Sequence, residues 1–364
     1  MNPMTDRTPF LVSAPGRVCL FGEHSDYLGL PVIPGAIDRT IDISATPRED
    51  SVVRVLYADL GETDAFETGE VLPYRKRREY LRSAFNIVAQ EGLNPMTGAD
   101  LNVTGNIPIA GGLSSSSALT VASVMTAAHL AGEDLKPDRI ANLAFQAEVR
   151  EFGESGGTMD HFASAYGGLI HVDCGRRDKL TRIPSTLEGL VIGDSLEKKK
   201  DTVGDLTLIR ATVEDGYRRL SKLIKGFDQR ETALELVSDQ IDKLPVSCRT
   251  MTLTTIRNRD LTARAFKVLS SGKRDPNKIG SMLDEHHALL RDGLGRSTPK
   301  IESLISAAKA AGAFGCKING SGGGGTILAY APGNEVRVAE AITKAGGVPY
   351  PTKIGQGAAV SAIK

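Results

Sequence analysis

The sequence contains no tryptophan, and aromatic residues make up only 5% of it. Stacking against a ligand would therefore have to use tyrosine or phenylalanine. Cysteine is scarce too: Cys19, Cys174, Cys248 and Cys316 are scattered without C-x-x-C spacing, which argues against a disulfide framework or a zinc-ligand set. Neither charge sign is in surplus, with 44 Lys plus Arg against 44 Asp plus Glu. That balance argues against broad capture of nucleic acid or anionic membrane, and leaves room for a local anion site. No apolar stretch approaches the roughly 18–20 residues of a membrane-crossing helix, and the opening MNPMTDRTPF lacks a signal-peptide apolar region. The expectation is a cytoplasmic protein with no membrane or nucleic-acid partner.

What the chain has is apolar material and glycine. Hydrophobic residues make up 41% of its 364 positions, ample for a core, and the 39 glycines are clustered. At roughly 100–200 residues per domain the length suggests two domains. The first half alternates strand-like and helix-like stretches. Residues 18–21 (VCLF) and 101–103 (LNV) read as buried strands, and residues 116–130 as a helix buried nearly all round. A second helix, residues 137–151, carries Ile140, Leu143, Ala144 and Ala147 on one face, and residues 168–173 and 189–192 read as further strands. From about residue 204 to 311 amphipathic helices dominate, broken near Gly226, Pro245, Pro276 and Pro299. Strand, loop and strand return over residues 314–329, then a helix over 334–345. The expected division is 1–193 and 194–364, two α+β domains with helices packed on a mixed or antiparallel sheet.

Three loops carry chemistry. The first, SAPGRVCLFGEHSDY (13–27), sets Glu23, His24, Ser25 and Asp26 beyond a strand that begins near Arg17. One cation and several acceptors suit a polyhydroxylated ligand, and a solvated turn is the plainer reading. The second, residues 105–118, runs Ala110, Gly111, Gly112, Leu113, Ser114, Ser115, Ser116 straight into the apolar helix. Glycines admit a ligand close to the backbone, and the free N–H groups and dipole of the helix start favour phosphate. The lysine of a Walker A loop is absent. Four serines exceed what capping requires. The third, KINGSGGGGT (317–326), has more glycine than a hairpin needs, which points to close approach by a ligand or by another loop. Between them lie Glu148 on a helix and Asp160 after a glycine-rich approach, either a catalytic carboxylate or a helix cap.

In order and spacing, the segments near 14–27, 105–118 and 315–326 together resemble the GHMP kinase superfamily, and the resemblance covers nearly the whole chain. It implies a ribosomal protein S5 domain 2-like N-terminal domain and a ferredoxin-like C-terminal domain, with ATP at the second loop and the acceptor between the domains. It also implies that residues 110–116 bind the ATP phosphates and that Ser116 and Glu148 hold Mg²⁺. Asp160 matches the catalytic aspartate of galactokinase-like members, and Arg17 the basic residue that faces it. Such an aspartate would accept a proton from the attacking hydroxyl, while Mg²⁺, Arg17 and loop N–H groups would balance the transferred charge.

The first segment, APGRVCLFGEHSDY, is similar to the galactokinase form APGRVNLIGEHTDY, and Met159-Asp160-His161 to the galactokinase MDQ. By resemblance the 23–26 segment contacts sugar hydroxyls, making the expected reaction phosphorylation of a monosaccharide such as galactose at its anomeric hydroxyl by a monomer or homodimer. The alternatives are a mevalonate-type alcohol kinase and a non-catalytic sugar and ATP sensor. The chain departs from galactokinases at Leu28-Gly29-Leu30, where they carry NGG, and in lacking their YNxRR segment after Asp194. A lysine run, Lys198-Lys199-Lys200, stands there and reads as a solvated face, the alternative being a hold on an anionic acceptor such as a uronic acid or a phosphorylated sugar. Arg75-Lys76-Arg77-Arg78 reads as exposed surface, and the adjacent His286 and His287 fall on different helix faces, wrong for shared metal ligation.

Overall fold

The computed structural model describes residues 8–95, 97–108, 111–175, 179–184, 187–199, 201–272 and 275–363. The chain opens with β1 (Phe10–Phe21), β2 (Ile33–Pro47), β3 (Val52–Tyr57) and β4 (Glu62–Glu67), then α1 (Tyr80–Gln90), β5 (Ala99–Gly105) and α2 (Ser115–Leu130). Next come α3 (Pro137–Phe145), α4 (Met159–Tyr166), β6 (Leu169–Asp173), β7 (Lys179–Ile183) and β8 (Leu190–Asp194). The helical stretch is α5 (Thr202–Leu223), α6 (Leu234–Ser238), α7 (Val246–Ser270), α8 (Pro276–Ala288) and α9 (Pro299–Ala310). The chain ends with β9 (Gly315–Asn319), β10 (Thr326–Tyr330), α10 (Glu335–Lys344), β11 (Val348–Thr352) and β12 (Ala359–Ala362).

Two sheets organise these elements. The first runs β12-β1-β2-β5-β3-β4, with β6 paired to β2 and β7 to β6. The second is antiparallel, in the order β11-β8-β10-β9. β8 crosses the 193/194 division suggested by the sequence and bonds into the second sheet, while β12 returns to β1 in the first. The observed architecture is α+β, as expected.

Local sequence explains the elements that frame the site. The first residues of β1 alternate buried and half-buried, but from Ala14 onward every residue is buried, because this end of the strand lies between α2 and the helices α7 and α8. α2 is small and apolar round its whole circumference, since it packs on β1 and β2 and is flanked by α1, α3 and α4. Proline stands in the first turn of α3, α8 and α9, where its missing N–H is not needed. The expected helix over 137–151 is α3 followed by a widened π-helical stretch, Gln146–Arg150, which carries Glu148. Widened turns of this kind recur at functional sites. Among the described residues, no helix is long and apolar enough to cross a membrane.

Candidate active site

Arg17 is built into β1, where the β1–β2 register shifts between Pro15 and Arg17. Its main-chain N–H donates to the Leu113 carbonyl at 3.0 Å. A side chain at the preceding Gly16 would come within 2.6 Å of that same carbonyl oxygen. The Arg17 guanidinium donates to Asp160 Oδ1 at 2.7 Å and to the Gly112 carbonyl at 2.6 Å. Burial opposes its charge, but Asp160 and Glu23 outweigh that and raise its pKa further. Asp160 stands in the first turn of α4.

After β1 the chain turns through Gly22 at φ +83° and His24 at φ +64°, the latter a conformation few non-glycine residues adopt. His24 is buried, with Nδ1 2.9 Å from the Tyr27 hydroxyl and Nε2 without a partner. Burial lowers its pKa to about 4, so the ring is neutral. Either tautomer leaves Nε2 for a ligand hydroxyl. Glu23 Oε2 accepts from Lys317 Nζ at 3.0 Å and from the Gly320 N–H at 2.9 Å. Burial alone would raise its pKa, yet Lys317 and Arg17 bring it down to about 2. Asp26 moves the other way, up to about 7, because it is buried and faces Asp160. Gly157 packs on it so closely that a Cβ there would clash with the Asp26 carboxyl and lie 2.7 Å from the Tyr27 nitrogen.

The second loop passes through Gly112 at φ +79° and Ser114 at φ +59° into α2. Ser114 Oγ is buried without a partner. Glu148 is 8% exposed and accepts from His161 Nε2 at 2.8 Å. Burial favours its neutral form, but bonds from His161, Ser116 and Ser117 lower its pKa overall. The Ser116 hydroxyl and the Glu148 carboxylate thus stand together as oxygen donors. This set suits Mg²⁺, which takes one or two carboxylates and completes its shell with phosphate oxygens and water.

The third loop clasps the other two. Asn319 Oδ1 accepts the Cys19 N–H at 2.9 Å, and Asn319 Nδ2 donates to the Gly112 carbonyl at 2.8 Å. Thr326 Oγ1 donates to the Gly111 carbonyl at 2.6 Å. A Cβ on Gly320 would lie 2.7 Å from the Gly112 oxygen. The glycine excess therefore serves, at least here, the approach of another loop.

A cavity of about 810 Å³ opens where the loops meet. Arg17, Glu23, His24, Asp26, Asp160 and Glu148 border it, as do Gly112 and Ser114, Ser115 and Ser116. Ser25 does not: it is fully buried, and its Oγ receives Asn258 Nδ2 at 3.2 Å, so it supports the turn from behind. Leu113 turns its side chain into the core, Gly111 contributes its carbonyl to Thr326, and Ala110 lies outside the described residues.

One surface reading needs correction. Lys199 is half-buried at the cavity, donating to Ser321 Oγ at 3.0 Å, and burial followed by Arg17 lowers its pKa to about 8. Lys200 lies outside the described residues. The basic run 75–78 is exposed as expected, and its last residue, Arg78, pairs with Glu154 at 2.6 Å at the rim of the cavity. His286 and His287 take separate partners, the Leu20 carbonyl and Glu302. Sequence reasoning also passes over Lys317, which is fully buried between the Cys19 carbonyl and Glu23. Its only signal is a cation at the start of a glycine-rich motif.

This fold and this cavity define a two-domain small-molecule kinase. Three family descriptions match the chain: GHMP kinases N terminal domain over residues 79–168, GHMP kinases C terminal over 264–348, and the galactokinase galactose-binding signature over 4–47. The mevalonate kinase of Thermococcus onnurineus is 32% identical, covering 94% of this chain and 96% of that protein. The galactokinase of a Roseiflexus species is 30% identical, covering 87% and 82%. The solved Lactococcus lactis galactokinase complexed with galactose superposes with a TM-score of 0.87 at 23% identity, covering 98% of this chain and 95% of that one. The chain belongs to the GHMP kinase family. It is a phosphotransferase with an alcohol group as acceptor, and ATP is the family's phosphate donor.

Proposed function

We propose that this chain transfers the γ-phosphate of ATP to the anomeric hydroxyl of a monosaccharide such as galactose. The observation that carries the reading is the position of the segment matching the galactose-binding signature. It places His24 and Asp26 on the lining of the cavity that Arg17 and Asp160 also border.

In this reading Glu23, His24 and Asp26 meet sugar hydroxyls, with Ser25 holding their turn. Asp160 accepts the proton of the attacking hydroxyl. Arg17 both aligns Asp160 and offsets charge on the transferred group, and Lys199 adds a second cation nearby. The phosphates lie along residues 110–116 at the start of α2, where free N–H groups and the helix dipole favour them. Ser116 and Glu148 would hold Mg²⁺, which would supply neutralisation of the negative charge on the transferred group.

A mevalonate-type acceptor is the second reading, favoured by the Thermococcus relative and by Lys199 as a partner for a carboxylate. Against it stands the match of residues 4–47 to the galactose-binding signature, which places Glu23, His24 and Asp26 at the cavity. A sensor without turnover fits poorly with Arg17, Asp160, Ser116 and Glu148 all bordering one cavity. The test is a coupled ADP-release assay across sugars, uronic acids and mevalonate. Turnover on a neutral sugar supports the proposal, and turnover on mevalonate with none on any sugar overturns it.

A further inference from the structure

Arg296 stops short of the cavity, yet walls from different parts of the chain are tied to it. Its N–H donates to the Leu290 carbonyl at 2.9 Å, and its own carbonyl accepts the Gly323 N–H at 2.8 Å. The side chain is enclosed, with the residue 8% exposed. Nε donates to the Ser321 carbonyl at 2.8 Å, and Nη2 donates to Asp205 Oδ2 at 2.6 Å. Gly322 and Gly323 sit at φ +72° and +70°. A Cβ on Gly322 would lie 2.7 Å from Arg296 Cβ, and one on Gly323 2.9 Å from Nη2. These two glycines admit the arginine.

Each partner leads back to the cavity. Ser321 borders it and receives Lys199. Asp205 is in the first turn of α5, whose Thr202, Val203 and Leu206 form cavity wall. One residue beyond Leu206, Thr207 Oγ1 lies 2.9 Å from Ser155 Oγ, in the segment that leads to Asp160. The start of α5 is thus held on one side to the glycine loop and on the other to the approach to α4. The planar fork of a guanidinium can serve a carbonyl and a carboxylate on separate elements at once, which a lysine ammonium does less well. Ser115, Ser116 and Glu148 stand on α2 and the π-helical stretch, to which Arg296 makes no direct bond; its glycine loop meets the second loop at Gly111 and Gly112.

We propose that Arg296 is a positioning residue that locks the α5 wall to the glycine loop, so that acceptor affinity, more than nucleotide affinity, depends on its bond to Asp205. The inference rests on reading the Glu23–Asp26 side of the cavity as the acceptor end. The experiment compares wild type, R296M, R296K, D205N and the D205N/R296M double variant of the whole chain. It reads acceptor KM, with galactose and mevalonate as probes, and the Kd of a fluorescent ATP analogue. R296M and D205N are expected to raise acceptor KM about tenfold, with nucleotide Kd kept within about twofold. R296K falls between wild type and R296M, and the double variant is no worse than R296M. D205N changes a helix position that is part-exposed, so it gives a reading even if R296M does not fold. An unshifted acceptor KM in D205N, an equal loss of nucleotide affinity, or additive effects in the double variant would each overturn the proposal. Failure of the wild type to turn over either probe removes the acceptor reading as well, whereas normal wild-type turnover with unshifted D205N removes only the role of Arg296.

Discussion

Arg17 Nε and Asp160 Oδ1 lie 2.7 Å apart, joining residues 143 positions distant in the chain. The guanidinium is enclosed, at 6% side-chain exposure, whereas the Asp160 side chain keeps 27% open toward the cavity. In the proposed reading the carboxylate open in front accepts the proton, and the cation behind it fixes its position.

Replacing Asp160 with Asn keeps an oxygen for Arg17 and removes the proton acceptor. D160N is expected to lose about 10²-fold or more in kcat, with nucleotide affinity little changed in a binding titration. Retention of most of the wild-type kcat would remove Asp160 from the chemistry.

The Glu23–Lys317 pair is a buried ion pair whose loss from one side strands a charge. K317M is expected to lose about 3–5 kcal/mol in urea unfolding, and the E23Q/K317M double variant to recover part of it. The folded-state pKa of Glu23 is lowered to about 2 from its ordinary 4.5. Its contribution is therefore present above pH 4.5 and lost as pH falls through about 2. Circular dichroism across this window should show an acid-induced loss of stability that is smaller in E23Q. An identical acid profile in E23Q would show that Lys317 and Glu23 do not stabilise each other.

Much of this was open to sequence reasoning, and the remainder has physical causes. The three loops announce themselves through local backbone demands, glycines at positive φ and serines before an apolar helix. Breaks at Pro276 and Pro299 coincide with first helical turns. β4 is harder to read because its buried face pairs Phe66 with a charged residue, Asp64, and β12 becomes a strand by pairing with β1 from the other end of the chain. α1 does carry a helical signal, with Leu81, Ala84, Phe85 and Val88 on one buried face behind the basic run. Lys199 is marked only as one of a lysine run, and Arg296 carries no local mark. Their partners Ser321 and Asp205 are 122 and 91 residues away, so only the folded chain shows that both cations turn inward.

Asp26 offers a test near neutral pH. Burial, then Asp160, raises its folded-state pKa from 3.8 to about 7. A raised carboxyl contributes its stability below pH 3.8 and loses it as pH rises through 7. D26N is therefore expected to gain stability relative to wild type between pH 5 and 8, read by scanning calorimetry, while losing acceptor affinity. A constant stability difference over that range would show that Asp26 does not titrate there.

Lys199 titrates at the other limb. Burial, with Arg17 beside it, lowers its pKa to about 8. A phosphate-facing ammonium should then be lost as pH rises through 8, and kcat should fall with it. K199R keeps its charge and should move that alkaline limb to higher pH. A limb unchanged in K199R would assign it to another group.

The most direct measurement of the central claim is phosphorus NMR of the product formed from ATP, Mg²⁺ and galactose. The account predicts a sugar phosphate whose phosphorus signal is split by the anomeric proton. Formation of phosphomevalonate from mevalonate, with no phosphorylated sugar under the same conditions, would contradict it.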